Sequence, residues 1–241
     1  MSRIDPQLAG SGTTDYERYI RTAELLSLQK DPATLSTHDE AMFQMVHQQA
    51  EIWMKLALLE LHEVATRIEG GQLELAAVLL HRIARILRIL IDGIHVLETM
   101  APWEYHTVRL ALGSGSGQDS PGFNRLLTYA PTLWKPFAGA LGREGVTLLQ
   151  LYHDHRQHHG LYGVAEGLSE IDELFQLWRQ HHLMLVKRII GDAVKSLQGA
   201  PVENLEYQVK AQLFPQLWQV RNALTAHANE IHKGKGSAAR Y

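Results

Sequence analysis

The sequence predicts an all-α protein, a helical bundle around one core. Apolar residues recur at three- and four-residue spacing along nearly the whole chain. No alternating β-branched run bounded by hairpin turns interrupts that pattern. A length of 241 residues suits a single domain with a sizeable interior.

Taken in order, residues 1–13 are polar and Gly/Ser-bearing and are expected to form a flexible N-terminal segment. The helical domain is expected to span 14–230, and the basic end, 231–241, to be a flexible tail. Tyr16, Tyr19, Ile20, Ala23 and Leu26 mark a short amphipathic helix over 16–29. Thr37 followed by Glu40 has the spacing of a capping box, expected to open a long helix from about Asp39 to Ile68. Gly70 and Gly71 stop it. A second long helix covers Leu73 to Met100, and Pro102 fits the first turn of a third that reaches Leu112. GSGSGQDSPG, residues 113–122, predicts a loop. Further helices are expected at 123–142, 145–160, 169–197 and 203–227. Neither an internal repeat nor a dividing linker is present.

Composition narrows the function. Hydrophobic residues at 45% and charged residues at 20% are ordinary for a soluble globular protein. A formal charge of -3 with signs mixed gives no basic stripe, which argues against nucleic acid or an anionic membrane as partner and favours a small or neutral ligand. The chain has no cysteine, so disulfides, thiolate catalysis, iron–sulfur ligation and thioether-linked haem are excluded. Any metal must be held by histidine or carboxylate. The start, MSRIDPQLAGSGTT, lacks a basic stretch followed by an apolar run, so a signal peptide is not expected and a cytoplasmic location is. His81, Arg82, Arg85, Arg88 and Asp92 inside the most apolar stretch argue for a core helix rather than a membrane span.

Several segments carry chemistry. Phe43 and His47 lie four apart on one helical face, so a ring and an imidazole can be presented together; the plainer alternative is a hydrogen-bonded core histidine. Tyr105 and Arg109 repeat the spacing, and the planar guanidinium suits a carboxylate. The alternative there is a surface arginine paired with a nearby glutamate. LFQLWRQHH sets Trp178 and His182 four apart, with Phe175 one turn earlier. Neutral imidazole is a good ligand for haem iron, but His181 and His182 point about 100° apart, so only one faces a given pocket. HDHRQHHG is the rival: His155 and His159, four apart on a helix, could clamp a divalent metal, although no HExxH pattern accompanies them.

Together these segments resemble the tryptophan 2,3-dioxygenase family, the haem-dependent enzymes that open the indole ring of tryptophan. The resemblance rests on YERYIRTAELLSLQ, HDEAMFQMVHQQAEIWMK, VLETMAPWEYHTVR, SPGFNRLL, FQLWRQHHLMLVKRIIG and LFPQLWQVR, in the family's order and over most of the chain. It implies a bundle of that family's type enclosing a b-type haem, with His182 as axial iron ligand. His47 would lie on the distal side near the indole nitrogen, with Phe43 against the substrate ring. Tyr105 and Arg109 match positions that line the pocket and bind the substrate carboxylate. Tyr16, Tyr19 and Ile20 match a segment that reaches a neighbouring subunit's site, which implies a homotetramer. By count from His182, Ser196 in VKSLQGAPVENL stands nearest the threonine of the family's closing loop, and GSGSGQDSPGF replaces the family's shorter SSGF.

The activity implied is oxidation of L-tryptophan, or a substituted tryptophan, by dioxygen to N-formylkynurenine. Two alternatives remain: insertion of one oxygen into a derivative such as β-methyltryptophan, giving a 2-oxindole or hydroxylated product, and a non-catalytic haem-binding protein.

Overall fold

The computed structural model describes residues 7–113, 115–191, 209 and 211–238. Among them every regular element is helical. Two short helices, α1 (Asp15–Ile20) and α2 (Thr22–Leu26), are followed by the long α3 (Asp39–Glu69) and α4 (Leu73–Leu97). Then come α5 (Pro102–Ala111), α6 (Pro121–Tyr129), α7 (Trp134–Glu144), α8 (Leu148–His153), α9 (His159–Ile190) and α10 (Pro215–Ala238).

The centre of the bundle is α4, packed between α3 and α9. It buries a broad apolar face between those two helices, while His81, Arg82, Arg85, Arg88, Asp92 and His95 form an exposed polar stripe on its remaining side. Leu80, Ile83, Ala84 and Leu87 are buried against Leu61, Val64 and Ile68 of α3 and Val164, Leu168 and Ile171 of α9. α9 approaches α4 closely at Gly167, where a Cβ would stand 2.8 Å from the Leu80 Cβ. No described helix is long and apolar enough to cross a membrane.

Several expected boundaries are corrected. The 16–29 helix is two pieces, because Arg21 takes a left-handed conformation at φ 59° and the helical path ends at Leu26. The 123–142 helix is divided by a 3-10 turn at Ala130–Leu133. Pro131 is the cause: it donates no N–H and its ring crowds the preceding turn. Only Leu148–His153 of the 145–160 segment is an α-helix, before α9 begins at His159. α9 then runs unbroken through the expected gap at 161–168 and ends at Gly191, whose φ is +87°. The last helix starts at Pro215 and its backbone continues to Ala238.

A buried carboxylate fastens that last helix. Asp172 on α9, 0% exposed, accepts hydrogen bonds from the Leu213 and Phe214 backbone N–H groups and from Trp218 Nε1, at 3.0, 2.9 and 2.9 Å. Arg179, also buried, donates to the Phe175 and Ala211 carbonyls. Asp172→Ala strands donors in a dry site, so it is expected to lower unfolding stability by about 2–3 kcal/mol. Urea denaturation followed by circular dichroism checks this; an unchanged midpoint would show that α10 docks without the carboxylate.

Candidate active site

α3, α4, α5, α9 and the loop before α6 enclose an apolar cavity of about 870 Å3. That is at the upper end of the roughly 300–1,000 Å3 usual for small-molecule and cofactor sites. Phe43, His47, Tyr105, Arg109 and His182 all line it. Residues separated by 135 positions in sequence between His47 and His182 thus meet in one space.

On α3, the Phe43 and His47 rings lie 4.1 Å apart between centroids. His47 Nδ1 is 2.6 Å from the Phe43 carbonyl oxygen. A carbonyl only accepts, so Nδ1 carries the proton and donates, which leaves Nε2 with its lone pair in the neutral ring. The surface that His47 shows opens into the cavity, and burial among protein atoms lowers its pKa. The Phe43 carbonyl and the Glu51 carboxylate pull it the other way without prevailing.

On α9, His182 presents a second neutral imidazole. Burial, helped by the proximity of His47, pushes its pKa down to about 4. The ring stacks on Trp178 at 5.7 Å and 5°, and Trp178 packs in turn against Phe123 at 5.3 Å. A neutral, sterically fixed imidazole is what an iron ligand requires. Its neighbour His181 lies on another face of α9, edge-on to His95 at 4.9 Å. The turn Gly117–Asp119 comes close to the His182 ring: a Cβ on Gly117 would be 3.7 Å from His182 Nε2. A flat group ligated there needs that turn to stand aside.

α5 supplies the polar end. Tyr105 is 6.1 Å from Phe43 between ring centroids, and burial raises its pKa, so the phenol keeps its proton. Arg109 lines the cavity, and no carboxylate among the described residues pairs with it. Among the described residues its guanidinium therefore has no anionic partner of its own, and its planar fork suits an anionic ligand.

Other expected residues lie elsewhere. Tyr16, Tyr19 and Ile20 on α1 are 69%, 70% and 42% exposed and do not reach this chain's cavity. Ser196 lies outside the described residues. The His155–His159 clamp is contradicted: the segment is a turn between α8 and α9, not one helical face. Three of its histidines face carboxylates instead, His153 with Asp154 at 2.7 Å, His158 with Glu144 at 3.0 Å and His159 with Glu74 at 3.4 Å, while the His155 ring lies 5.2 Å from that of Tyr162.

Two groups at the cavity were not anticipated. Glu51, one turn beyond His47, accepts from the Ser120 hydroxyl and from the Gly122 N–H at 3.0 Å, fixing the loop that covers the cavity. Gly122 is required there, since a Cβ would lie 2.7 Å from Glu51 Oε2 and 2.8 Å from Met54 Cβ. The spacing of Glu51 from His47 put it on the right face, and the SPGF segment held its partners. Arg179, inside the LWRQHH motif, is the other.

Helical walls that offer neutral imidazole to a large apolar space are suited to the haem-dependent oxygenases, and comparison with known proteins gives that class. The family model described as tryptophan 2,3-dioxygenase matches residues 3–130 and 139–224. The chain belongs to the tryptophan 2,3-dioxygenase family and is an enzyme of that oxygenase class. Tryptophan 2,3-dioxygenase of Myxococcus xanthus (strain DK1622) is 30% identical over 89% of this chain and 91% of its own length. Its counterpart in Burkholderia ambifaria (strain MC40-6) is 29% identical over 91% and 87%, and that of Bacillus thuringiensis subsp. konkukian 29% over 87% and 92%.

Proposed function

We propose that this enzyme oxidises the indole ring of L-tryptophan, or of a substituted tryptophan, with haem b held at His182 and dioxygen as co-substrate. N-formylkynurenine is the product. The observation that carries this reading is the convergence of Phe43, His47, Tyr105, Arg109 and His182 on one apolar cavity. Haem bound there would supply the ferrous iron at which dioxygen is activated for addition across the indole C2–C3 bond.

The chain's own residues bind and orient. Arg109 takes the substrate carboxylate with its two parallel N–H donors, at the end of the cavity where Tyr105 adds a protonated phenol. Phe43 covers the indole face. His47 accepts the indole N–H at the unprotonated Nε2, a role set by the Nδ1 bond to Phe43. It does not remove that proton as an obligatory base, because an indole N–H is very weakly acidic. The Glu51–Ser120–Gly122 clasp holds the covering loop and excludes water. Holding the reacting groups in one orientation supplies much of the rate.

Tyr16, Tyr19 and Ile20 complete the cavity of a neighbouring copy in a homotetramer. Their exposure supports this. Ser196, which lies outside the described residues, is by count the counterpart of the family's ammonium-binding threonine.

His47→Ala is expected to slow turnover about threefold to tenfold, equivalent to one hydrogen bond of about 0.5–1.5 kcal/mol, while haem content stays at the wild-type level. Haem loss in that variant would place His47 on the ligating side. The reading as a whole is tested by mass spectrometry of the product from reduced, haem-loaded enzyme given L-tryptophan and, in parallel, β-methyltryptophan. A gain of two oxygen atoms is expected. A gain of one would make the enzyme a monooxygenase, and no product from either substrate would overturn the assignment.

A further inference from the structure

A cluster outside the cavity brings together groups that the proposed reaction does not use. The C-terminal turn of α4 carries His95 and ends at Glu98, and α9 contributes His181; one ligand atom from each lies within 4.8 Å of the other two. None of the three lines the active-site cavity. All keep some surface exposed, so an ion from solvent has a path to them.

We propose that His95, Glu98 and His181 form a second metal site, for a divalent transition ion of the zinc type, that ties the end of α4 to α9. The donor set decides the class of ion. Two imidazoles and one carboxylate suit zinc and its neighbours, whereas calcium and magnesium demand a shell of oxygen ligands. Three protein ligands leave the fourth tetrahedral position to water. Zinc bonds of about 2.0–2.1 Å hold ligand atoms roughly 3.3 Å apart, so closing from the present separation takes only side-chain rotation at the surface.

Electrostatics favours a cation at this place. The site sits at the C-terminal end of the 25-residue α4, where the helix dipole is negative, and Glu98 adds a formal charge. Asp92 adds a second carboxylate nearby, its Oδ1 3.8 Å from His95 Nδ1, which raises the negative potential at the site. The consequence is local. His181 precedes His182, so a bound ion clamps the stretch of α9 that presents His182 to the cavity, while remaining a site distinct from it.

The inference does not depend on the haem assignment, and its test reads the two sites separately. Chelator-stripped, haem-loaded protein is titrated with zinc chloride by calorimetry, and zinc and iron are then counted per chain after dialysis. One zinc per chain is expected. His95→Ala and His181→Ala should each weaken zinc binding by more than the roughly 10–100-fold that losing an outer-shell partner costs, with iron content unchanged. Glu98→Gln keeps the side-chain shape and should weaken it too, which guards against a misfolded alanine variant. His155→Ala and His159→Ala should have no effect. No bound zinc, or zinc binding that survives in the His95→Ala, His181→Ala double variant, would overturn the site.

Discussion

His182→Ala is expected to strip the enzyme of haem, whereas His181→Ala keeps it. The two residues are adjacent in sequence, but only His182 lines the cavity, and its low pKa keeps the ring neutral throughout the physiological range. His181 faces His95 on another side of α9. Loss of the imidazole proposed to hold the iron should weaken haem retention beyond the roughly 10–100-fold typical of removing an outer-shell partner. Haem content per chain and the Soret absorbance of the purified variants measure it. Added imidazole should partly restore the His182→Ala spectrum, because the Trp178 face and the cavity remain. Wild-type haem content in His182→Ala would transfer the ligand role to another residue.

Arg109→Ala should weaken L-tryptophan binding by roughly 2–5 kcal/mol, the cost of leaving a desolvated carboxylate without its partner. That corresponds to about 30-fold or more in Kd. The size of the effect follows from the surroundings: Arg109 has no competing carboxylate among the described residues, and the cavity walls are apolar. Arg109→Lys should fall between, since an ammonium keeps the charge and loses the bidentate fork. Tryptamine, which has no carboxylate, provides the control, because its affinity should not change in either variant. The comparison is made by spectral titration of haem-loaded enzyme. Equal losses for tryptophan and tryptamine would mean that Arg109 supports the cavity's shape instead of binding the carboxylate.

Much of this was legible in the sequence, where the deciding physics is local. Gly70 and Gly71 ended α3, Pro102 opened α5, and the spacing of Phe43 with His47 and of Trp178 with His182 put each pair on one face. What escaped was set by contacts between distant segments. Gly160, Gly163 and Gly167 are poor helix formers by propensity, and the expected helices do not cover 161–168. All three lie inside α9, and at Gly167 the reason is tertiary: a Cβ there would stand 2.8 Å from the Leu80 Cβ of α4. The Glu51–Ser120 bond joins residues 69 apart, beyond the reach of any local pattern. The histidine run at 153–159 had the spacing of a metal clamp, but spacing has that meaning only on a helix, and the chain turns there. The cluster at His95, Glu98 and His181 combines two helices, and nothing in either stretch alone marks it.

The most direct test of the account is a crystal structure of the haem-loaded enzyme with L-tryptophan bound. The prediction is iron ligated by His182 Nε2, the substrate carboxylate on Arg109, the indole N–H on His47 Nε2, and the Gly117–Asp119 turn displaced from its present place beside His182. Iron ligated by His181, or a substrate carboxylate directed away from Arg109, would contradict it.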